Sequence, residues 1–424
     1  MFEPLVNAWK IADLRKKILY TIMMLIVFRI GSHIPIPGIN PETLANLVGN
    51  FDALNLLDTI AGGAFSNATI FAMSITPYIN SSIIMNLLTV VIPALERKQR
   101  EGEEGRKFIA QLTRYLTVVL AFIQASGLYF ALRSPSAPEG GRVFEYLIIV
   151  LSLTAGTSFL MWLGEHITEN GIGNGISLLI FAGIVSRGPQ MVQAFIAYMQ
   201  NGQLNIYTLI LLLIVIVLVV AAVVAMNNAE RRIPVQYAKR VVGRKMYGGQ
   251  STHIPIKVLM AGVIPIIFAM SIMTFPLTIM QLFGYNPTTG VMGWITKWIL
   301  STTSPGYIIL YFLLILFFTF FYTKIQFNSV EMANNMQRNG GFVPGIRPGK
   351  PTAQYIDKVL SRVTMAGALF IGLIAVFPLI LGSVFKINIA IGGTSLLIVV
   401  GVVLETVKQV ESQMLVRHYK GFLE

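Results

Sequence analysis

Ten long apolar stretches run through the sequence, and each is long enough to cross a membrane as a helix. Helices satisfy their own backbone hydrogen bonds, which lipid cannot do for them. The composition agrees, because 54% of the residues are hydrophobic and 12% are charged, against about 25% charged in soluble domains. We therefore predict an all-α polytopic membrane protein. Its ten predicted transmembrane helices are 18–36, 68–92, 108–132, 143–164, 175–196, 206–226, 257–282, 304–325, 363–384 and 390–409.

Basic residues are distributed unequally between the two sides of these spans. If the N-terminus is cytoplasmic, the cytoplasmic segments hold 25 Lys and Arg residues and the opposite side holds five. An excess of this kind marks the cytoplasmic face of a membrane protein. The sequence therefore predicts that both termini are cytoplasmic.

The spans divide into two groups of five around the loop at 227–257. An odd number of spans in each half means that the second half enters the membrane from the opposite face, as in an inverted repeat. We predict an N-terminal half at 1–200 and a C-terminal half at 201–424. Inverted repeats commonly place their working site between the halves, near the middle of the membrane.

A short half-polar segment, at about 52–66, precedes the second span. As a helix it would be about 22 Å long, too short for a hydrocarbon core of about 30 Å. Two interpretations stay open on the pattern alone, namely a re-entrant helix beside a water-filled cavity and an interfacial helix lying flat on the membrane. Its polar stripe consists of Asp52, Asn55, Asp58, Thr59, Gly62 and Ser66.

Two predicted cytoplasmic loops, 227–257 and 326–362, are longer and more basic than orientation requires. The second contains a turn-rich tip at 341–349 that can hold Arg347 outward. Docking of an acidic or RNA-containing partner is one interpretation, and orientation with attraction to anionic lipid is the other. The basic side chains of the first loop are Arg231, Arg232, Lys239, Arg240, Arg244 and Lys245.

Motifs of enzymes are missing from the sequence. Cysteine is absent, which excludes thiol catalysis and zinc–thiolate sites, and His166 has no second histidine at metal-binding spacing. The span interiors also lack buried carboxylates, which coupled carriers commonly use. We therefore expect no enzymatic activity, metal or cofactor. A secondary carrier for a small solute remains the alternative function, although the missing carboxylates weigh against it.

Several short motifs, in order along nearly the whole chain, resemble the SecY family of bacterial protein-conducting channels. They are GGAFS at 62–66, ITPYINSSII at 75–84, GIGNGIS at 171–177, YAKR at 237–240, QSTHIP at 250–255, MAGVIP at 260–265, FVPGIRPG at 342–349 and GGTSLLI at 392–398.

The resemblance implies an hourglass channel between two five-helix halves, closed by a plug and by a ring of apolar side chains. The pairs on the second and fifth spans are spaced i, i+4 and so share a helix face, and Ile176 is an alternative for one member of the fifth-span pair. The implied ring is Ile79, Ile83, Ile180, Ile184, Ile267 and Ile398. The implied plug residues are Asp52, Asn55, Leu56, Leu57, Ile60, Ala61, Gly62, Gly63 and Phe65.

The resemblance also implies a wall that opens sideways to lipid, a lateral gate between the second, third, seventh and eighth spans. Its candidate polar contacts are Asn86, Gln124, Ser271 and Thr274. The function implied is passive conduction of unfolded preproteins bearing signal peptides, in the cytoplasmic (inner) membrane. The partners implied are the subunits SecE and SecG, the SecA ATPase and a translating ribosome, with no DNA. Arg347 is the most position-critical docking residue, supported by the basic residues of loop 227–257.

Overall fold

The computed structural model describes residues 9–39, 41–42, 44, 58–59, 61–132, 142–200, 202, 206–237, 240–242, 245–247, 251–282, 298, 301, 304–385 and 393–420. Helices dominate this part of the chain. They are α1 (Ala12–Gly31), α2 (Thr76–Val91), α3 (Pro93–Arg100), α4 (Glu103–Leu132), α5 (Arg142–Asn170), α6 (Gly175–Ser186), α7 (Gly188–Gln200), α8 (Ile206–Asn228), α9 (Ile264–Leu282), α10 (Pro305–Gln326), α11 (Ser329–Arg338), α12 (Lys350–Phe385) and α13 (Gly393–Lys420).

The helices confirm a polytopic membrane protein, and each predicted span overlaps at least one of them. Within the described residues, six helical segments are long and apolar enough to cross a membrane, counting α6 with α7 and α10 with α11 as one segment each. The pair α2 and α3 forms a further candidate bent by 104°. This bend falls at Ile92, where Pro93 follows and the helix cannot continue straight. The charged helix α3 is thereby turned away from the apolar helix α2.

The boundaries of several spans differ from the prediction, and in three of them the helix begins late or is broken. The second span is helical only from Thr76, and the seventh only from Ile264, because turns occupy the residues before each. The fifth is divided into α6 and α7 at Arg187. Apolar composition marks a segment that sits in lipid or protein, but it does not say where within that segment helical backbone begins.

Described helices from the two predicted halves contact each other in two places. In the N-terminal half α4 packs on α2 and α5, and in the C-terminal half α10 packs on α9 and α12. Across the halves, α9 contacts both α2 and α4, while α13 contacts α6. Residues from both halves consequently share one large buried cluster.

A small β-sheet lies in the two large loops, and the sequence analysis did not predict it. Strands β1 (Glu230–Tyr237), β4 (Ser251–Lys257) and β5 (Gly341–Phe342) form the order β4–β1–β5, antiparallel throughout. Strands β2 (Arg240–Val242) and β3 (Lys245–Tyr247) form a separate antiparallel pair.

The sheet has its own apolar core, which ties the two loops together. On β1 only Ile233 and Val235 are buried, the alternation expected of a strand with one covered face. They pack against Ile256 of β4, Met336 of α11, Val343 after β5, and Ile356 and Leu360 of α12. The two loops therefore form one folded unit, the predicted cytoplasmic unit, and the tip that carries Arg347 is attached to it.

Candidate functional site

Six isoleucines proposed as a ring lie in one buried cluster. They come from four helices of both halves: α2, α6, α9 and α13. None is more than 7% exposed, and Ile176, the alternative for the fifth span, is only partly buried at the edge of this cluster. The cluster also contains many other apolar side chains, so membership in it agrees with a constriction without identifying one. The members are Ile79, Ile83, Ile180, Ile184, Ile267 and Ile398.

Glycine and an N-cap set the position of α6, which supplies two of these isoleucines. The side chain of Asn174 accepts a 3.2 Å hydrogen bond from the backbone N–H of Ser177 and caps the helix. A Cβ on Gly175 would overlap the carbonyl of Gly164 on α5, so glycine permits the close approach of the two helices. Ile180 and Ile184 then share a buried face of α6.

The proposed plug is described only in its last part. Ala61 belongs to the same cluster as the isoleucines, and Phe65 packs in a neighbouring cluster with Ala121 of α4 and Leu153 of α5. The described end of the proposed plug therefore contacts both the isoleucine cluster and the neighbouring cluster formed with α4 and α5. Five predicted plug residues lie outside the described residues: Asp52, Asn55, Leu56, Leu57 and Ile60.

The predicted helix at 52–66 does not extend to its expected end, because residues 61–66 form consecutive turns. Gly62 and Gly63 have φ values of +67° and +85°, which lie outside the range of a right-handed helix. A Cβ on Gly62 would also lie 2.7 Å from Ser186 Oγ and 3.0 Å from Gly183 Cα. Glycine at 62 thus allows this turn to rest directly on α6.

An ion pair joins this turn to the C-terminal end of α6. Asp58 Oδ2 pairs with Arg187 Nη2, and Asp58 Oδ1 accepts hydrogen bonds from the backbone N–H groups of Phe65 and Ser66, at 3.1 and 3.0 Å. Arg29 of α1 donates to the carbonyl of Gly62 at 3.2 Å. The sequence analysis did not assign a role to either arginine.

The lateral-gate candidates lie on helices that are in contact. Asn86 is on α2 and Gln124 is on α4, and both of these helices pack against α9, which carries Ser271 and Thr274. Ser271 and Thr274 are buried, and Thr274 Oγ1 donates to the backbone carbonyl of Ser271 at 3.0 Å. Gln124 Nε2 is buried and has no hydrogen-bond partner within the part of the chain that the structure describes. That the four side chains hold this wall shut stays a prediction.

Exposed arginines lie on the predicted cytoplasmic unit. Arg231 and Arg232 on β1 are exposed, and Arg232 Nε pairs with Glu230 Oε1 at 2.7 Å. Arg347 is also exposed, and its carbonyl accepts a 2.8 Å hydrogen bond from Thr352 Oγ1. Of the remaining candidates, Arg240 and Lys245 lie on strands β2 and β3, while Lys239 and Arg244 fall outside the described residues.

Glycines shape the tip that carries Arg347. Gly345 and Gly349 have φ values of +81° and +94°, so the chain reverses on both sides of the arginine. Val343 is buried and Ile346 packs against the core of the sheet. The tip is therefore anchored by apolar contacts, and it presents a guanidinium suited to a carboxylate or a phosphate.

Comparison with known proteins places these features in one family. The family model described as SecY matches residues 69–407. A protein translocase subunit SecY of Streptomyces coelicolor is 47% identical over 441 residues, covering all of both chains. The protein translocase subunit SecY of Halalkalibacterium halodurans is 47% identical over 442 residues, again with full coverage.

Solved structures share the fold at lower sequence identity. A structure described as a protein conducting channel has a TM-score of 0.66 and 21% identity, and the match covers 95% of this chain and 93% of that one. A study of how the SecY plug domain stabilises the closed state gives a TM-score of 0.67 and 19% identity, covering 95% and 92%. Sec61 in the canine ribosome–channel complex gives 0.62 and 20%, covering 95% and 93%.

Proposed function

The chain belongs to the SecY family, and from that premise we propose that unfolded polypeptides cross the membrane through the contact between its two halves. The SecY family comprises protein-translocation channels, which are not enzymes, and this assignment excludes a small-solute carrier. The proposal concerns which parts of this chain form the path, its closures and its docking surface.

The observation that carries the proposal is the convergence of Ile79, Ile83, Ile180, Ile184, Ile267 and Ile398 on one buried cluster. Four helices, two from each half, supply them. A narrow apolar constriction opposes the passage of ions because water leaves it readily. It can also widen around a passing chain, since it forms no specific polar bonds that must be broken. These six residues are the proposed ring.

The segment at 52–66 is the proposed plug of the resting channel. Its described end supports this role, because Ala61 and Ala64 are buried in the same cluster as the isoleucines. A plug seated against the ring adds a second barrier. The interfacial-helix interpretation is less favourable. A helix lying flat on the membrane would turn its apolar residues to lipid, whereas Ala61 and Ala64 are buried against protein.

A lateral exit is proposed where α9 meets α2 and α4. A core of ten apolar residues gains about 5 kcal/mol in lipid at about 0.5 kcal/mol each, whereas one central charge costs about 3 kcal/mol. An apolar signal or membrane segment therefore leaves through this wall, while polar chain continues across the membrane. Asn86, Gln124, Ser271 and Thr274 are the proposed polar contacts along it.

The cytoplasmic unit is the proposed docking surface for the driving machinery. Arg347 is its central residue, and acidic SecA surface or ribosomal RNA phosphate matches an exposed guanidinium. The ribosome-bound Sec61 structure, which shares the fold, supports the ribosome as a partner. We propose SecE and SecG as further subunits and anionic lipid as a surface contact. The supporting basic residues are Arg231, Arg232, Lys239, Arg240, Arg244 and Lys245.

The proposed setting is the cytoplasmic membrane, with both termini in the cytoplasm and the halves at 1–200 and 201–424 facing each other across the path. The excess of basic residues in the predicted cytoplasmic segments supports this orientation. It places the sheet and the tip with Arg347 on the side where preproteins are made.

Crosslinking of a stalled preprotein tests the path. The channel is reconstituted with SecE, SecG and SecA, and a photo-crosslinking residue is placed at Ile83, at Asn86 or, as a control, at Leu218, which is 63% exposed on α8. We expect ATP-dependent crosslinks from Ile83 to the translocating chain and none from Leu218. A preprotein that crosses in the presence of ATP yet reacts only with Leu218 contradicts the proposed path. Crosslinks from Asn86 that require an intact signal peptide support the lateral exit.

A further inference from the structure

Asp58 is a buried carboxylate at the start of the described end of the plug. Its side chain is 1% exposed, and both of its oxygens have partners. Oδ1 accepts the backbone N–H groups of Phe65 and Ser66, which closes a loop of the plug on itself. Oδ2 is thereby directed to a partner outside the plug, Arg187.

Arg187 lies at the break between α6 and α7, immediately after the helix that supplies Ile180 and Ile184. Its side chain is 14% exposed. Its Nη2 atom pairs with Asp58 and lies 3.4 Å from Ser66 Oγ. Its Nε atom is buried, and none of the described residues forms a hydrogen bond with it. The guanidinium is therefore largely dehydrated, and Asp58 is the carboxylate that compensates its charge.

A second arginine contacts the same turn from another helix. Arg29 of α1 donates to the carbonyl of Gly62 and to Ser186 Oγ, both at 3.2 Å, and Ser186 Oγ donates to the carbonyl of Gly183 at 2.7 Å. The contact with Arg29 is between a charge and a neutral carbonyl. Among the described residues, the pair formed by Asp58 and Arg187 is the one that joins two opposite charges across the boundary between the plug and α6.

We propose that Asp58 and Arg187 form an ionic latch that holds the plug against α6 in the resting channel. Arg187 acts by positioning the plug through Asp58. The proposal rests on the proposed function, because it takes 52–66 to be the plug, and it adds the contact that sets how firmly the plug is seated.

The chemistry of the pair explains why it works as a latch. A buried ion pair is costly to disrupt by removing one partner, because the remaining charge is left without compensation. Displacing the whole plug is different, since both groups then reach water and are hydrated. The pair therefore resists small movements of the seated plug without preventing its full release. Burial also shields it from dissolved salt.

A neutral double variant isolates the latch. In Asp58→Asn the amide oxygen can still accept the two backbone N–H groups, while an uncharged amide N–H₂ group replaces the oxygen that pairs with Arg187. Arg187→Gln removes the other charge, and the double variant removes both without leaving an unpaired ion. Glu165→Gln is a matched control, because Glu165 pairs with Arg114 at 2.9 Å between α4 and α5.

The measurement uses the absence of cysteine from the natural sequence. Ala64 is 0% exposed, so Ala64→Cys gives a single buried thiol that reacts with a water-soluble maleimide when the plug leaves its seat. We expect each single charge variant to raise the labelling rate by about tenfold or more, together with the ion conductance of the closed channel. The double variant should label more slowly than the product of the two single effects predicts. Glu165→Gln should label at the parental rate.

Two results would overturn the latch. One is an unchanged labelling rate in Arg187→Gln, and the other is a double variant whose rate equals the product of the two single effects. If Arg187→Gln does not accumulate in the membrane, Arg187→Lys replaces it, and it should show a smaller increase because it keeps the charge without the guanidinium fork. Preprotein transport by the parental channel is assayed separately. If the parent transports preprotein but the labelling results contradict the latch, the latch fails and the channel function stands.

Discussion

Phe71 stacks on Phe28 of α1, with ring centroids 6.1 Å apart and planes inclined by 11°. Its other face stacks on Phe159 of α5 at 5.9 Å and 8°. A Cβ on Gly31 would overlap the ring of Phe71, so glycine makes room for it. The three rings fasten the chain between the plug and α2 to two helices of the N-terminal half.

Replacing Phe71 with alanine should destabilise the N-terminal half. Phe71 is 2% exposed, and truncating a buried phenylalanine costs about 3 kcal/mol or more. We expect a lower Tm of the purified channel in detergent and faster proteolysis near residue 71. Phe144→Ala is the control, because Phe144 of α5 is 72% exposed and its truncation should leave the Tm within about one degree of the parent. Equal Tm shifts in the two variants would contradict the anchoring role of the stack.

Replacing Gln124 with leucine should stabilise the closed wall. The amide nitrogen of Gln124 is buried and lacks a hydrogen-bond partner among the described side chains and backbone, and a buried unsatisfied group costs about 1 kcal/mol or more. Leucine fills a similar volume without that cost, so we expect a higher Tm and slower lateral release of a membrane segment. A lower Tm would mean that the amide supports the wall as the sequence predicted. Thr274→Val, which removes the 3.0 Å hydrogen bond to the Ser271 carbonyl, provides the comparison.

Hydropathy was sufficient to predict a helical membrane protein, whereas the orientation inferred from charge stays a prediction. Each predicted span overlaps a helix, because the need to satisfy backbone groups in lipid leaves few alternatives. The isoleucine pairs on α2 and α6 could be placed on one face by their i, i+4 spacing. The members on α9 and α13, Ile267 and Ile398, were predicted only from the family resemblance. Periodicity within one helix does not reveal which other helices pack against it.

Tertiary pairing explains what the sequence did not reveal. Asp58 and Arg187 are 129 positions apart, and each is unremarkable in its own segment. The plug turn at Gly62 and Gly63 was predicted as helix because its amphipathic pattern continues through residues that have positive φ. The sequence analysis missed the sheet because β1 pairs with strands that are distant in the sequence or very short. Its backbone groups bond to β4 and to β5, and β5 has only two residues. Alternation at Ile233 and Val235 was the available signal.

Replacing Ile83 and Ile267 together with glycine should make the resting channel leak ions. Both side chains are buried in the cluster, at 4% and 7% exposure, and their loss widens and wets the constriction. We expect a several-fold increase in single-channel conductance without partners. Glycine also costs about 1 kcal/mol in a helix, so Leu218→Gly on lipid-exposed α8 controls for this effect. Unchanged conductance in a folded double variant would discredit the ring.

Reversing the charge at Arg347 should abolish partner-driven export while leaving the channel folded. Its side chain is exposed between two glycines of positive φ, and exposed substitutions of this kind change the free energy of unfolding by about 0.5 kcal/mol or less. In Arg347→Glu the new carboxylate repels an acidic partner surface or RNA phosphate, so we expect SecA-dependent or ribosome-dependent transport to fall by about tenfold or more. Lys358→Glu, an equal charge change at an exposed position of α12, should retain transport. Ion conductance and Tm should match the parent in both variants. Normal export by Arg347→Glu would refute the docking role, because the reversed charge would then lie outside the surface that the driving machinery contacts.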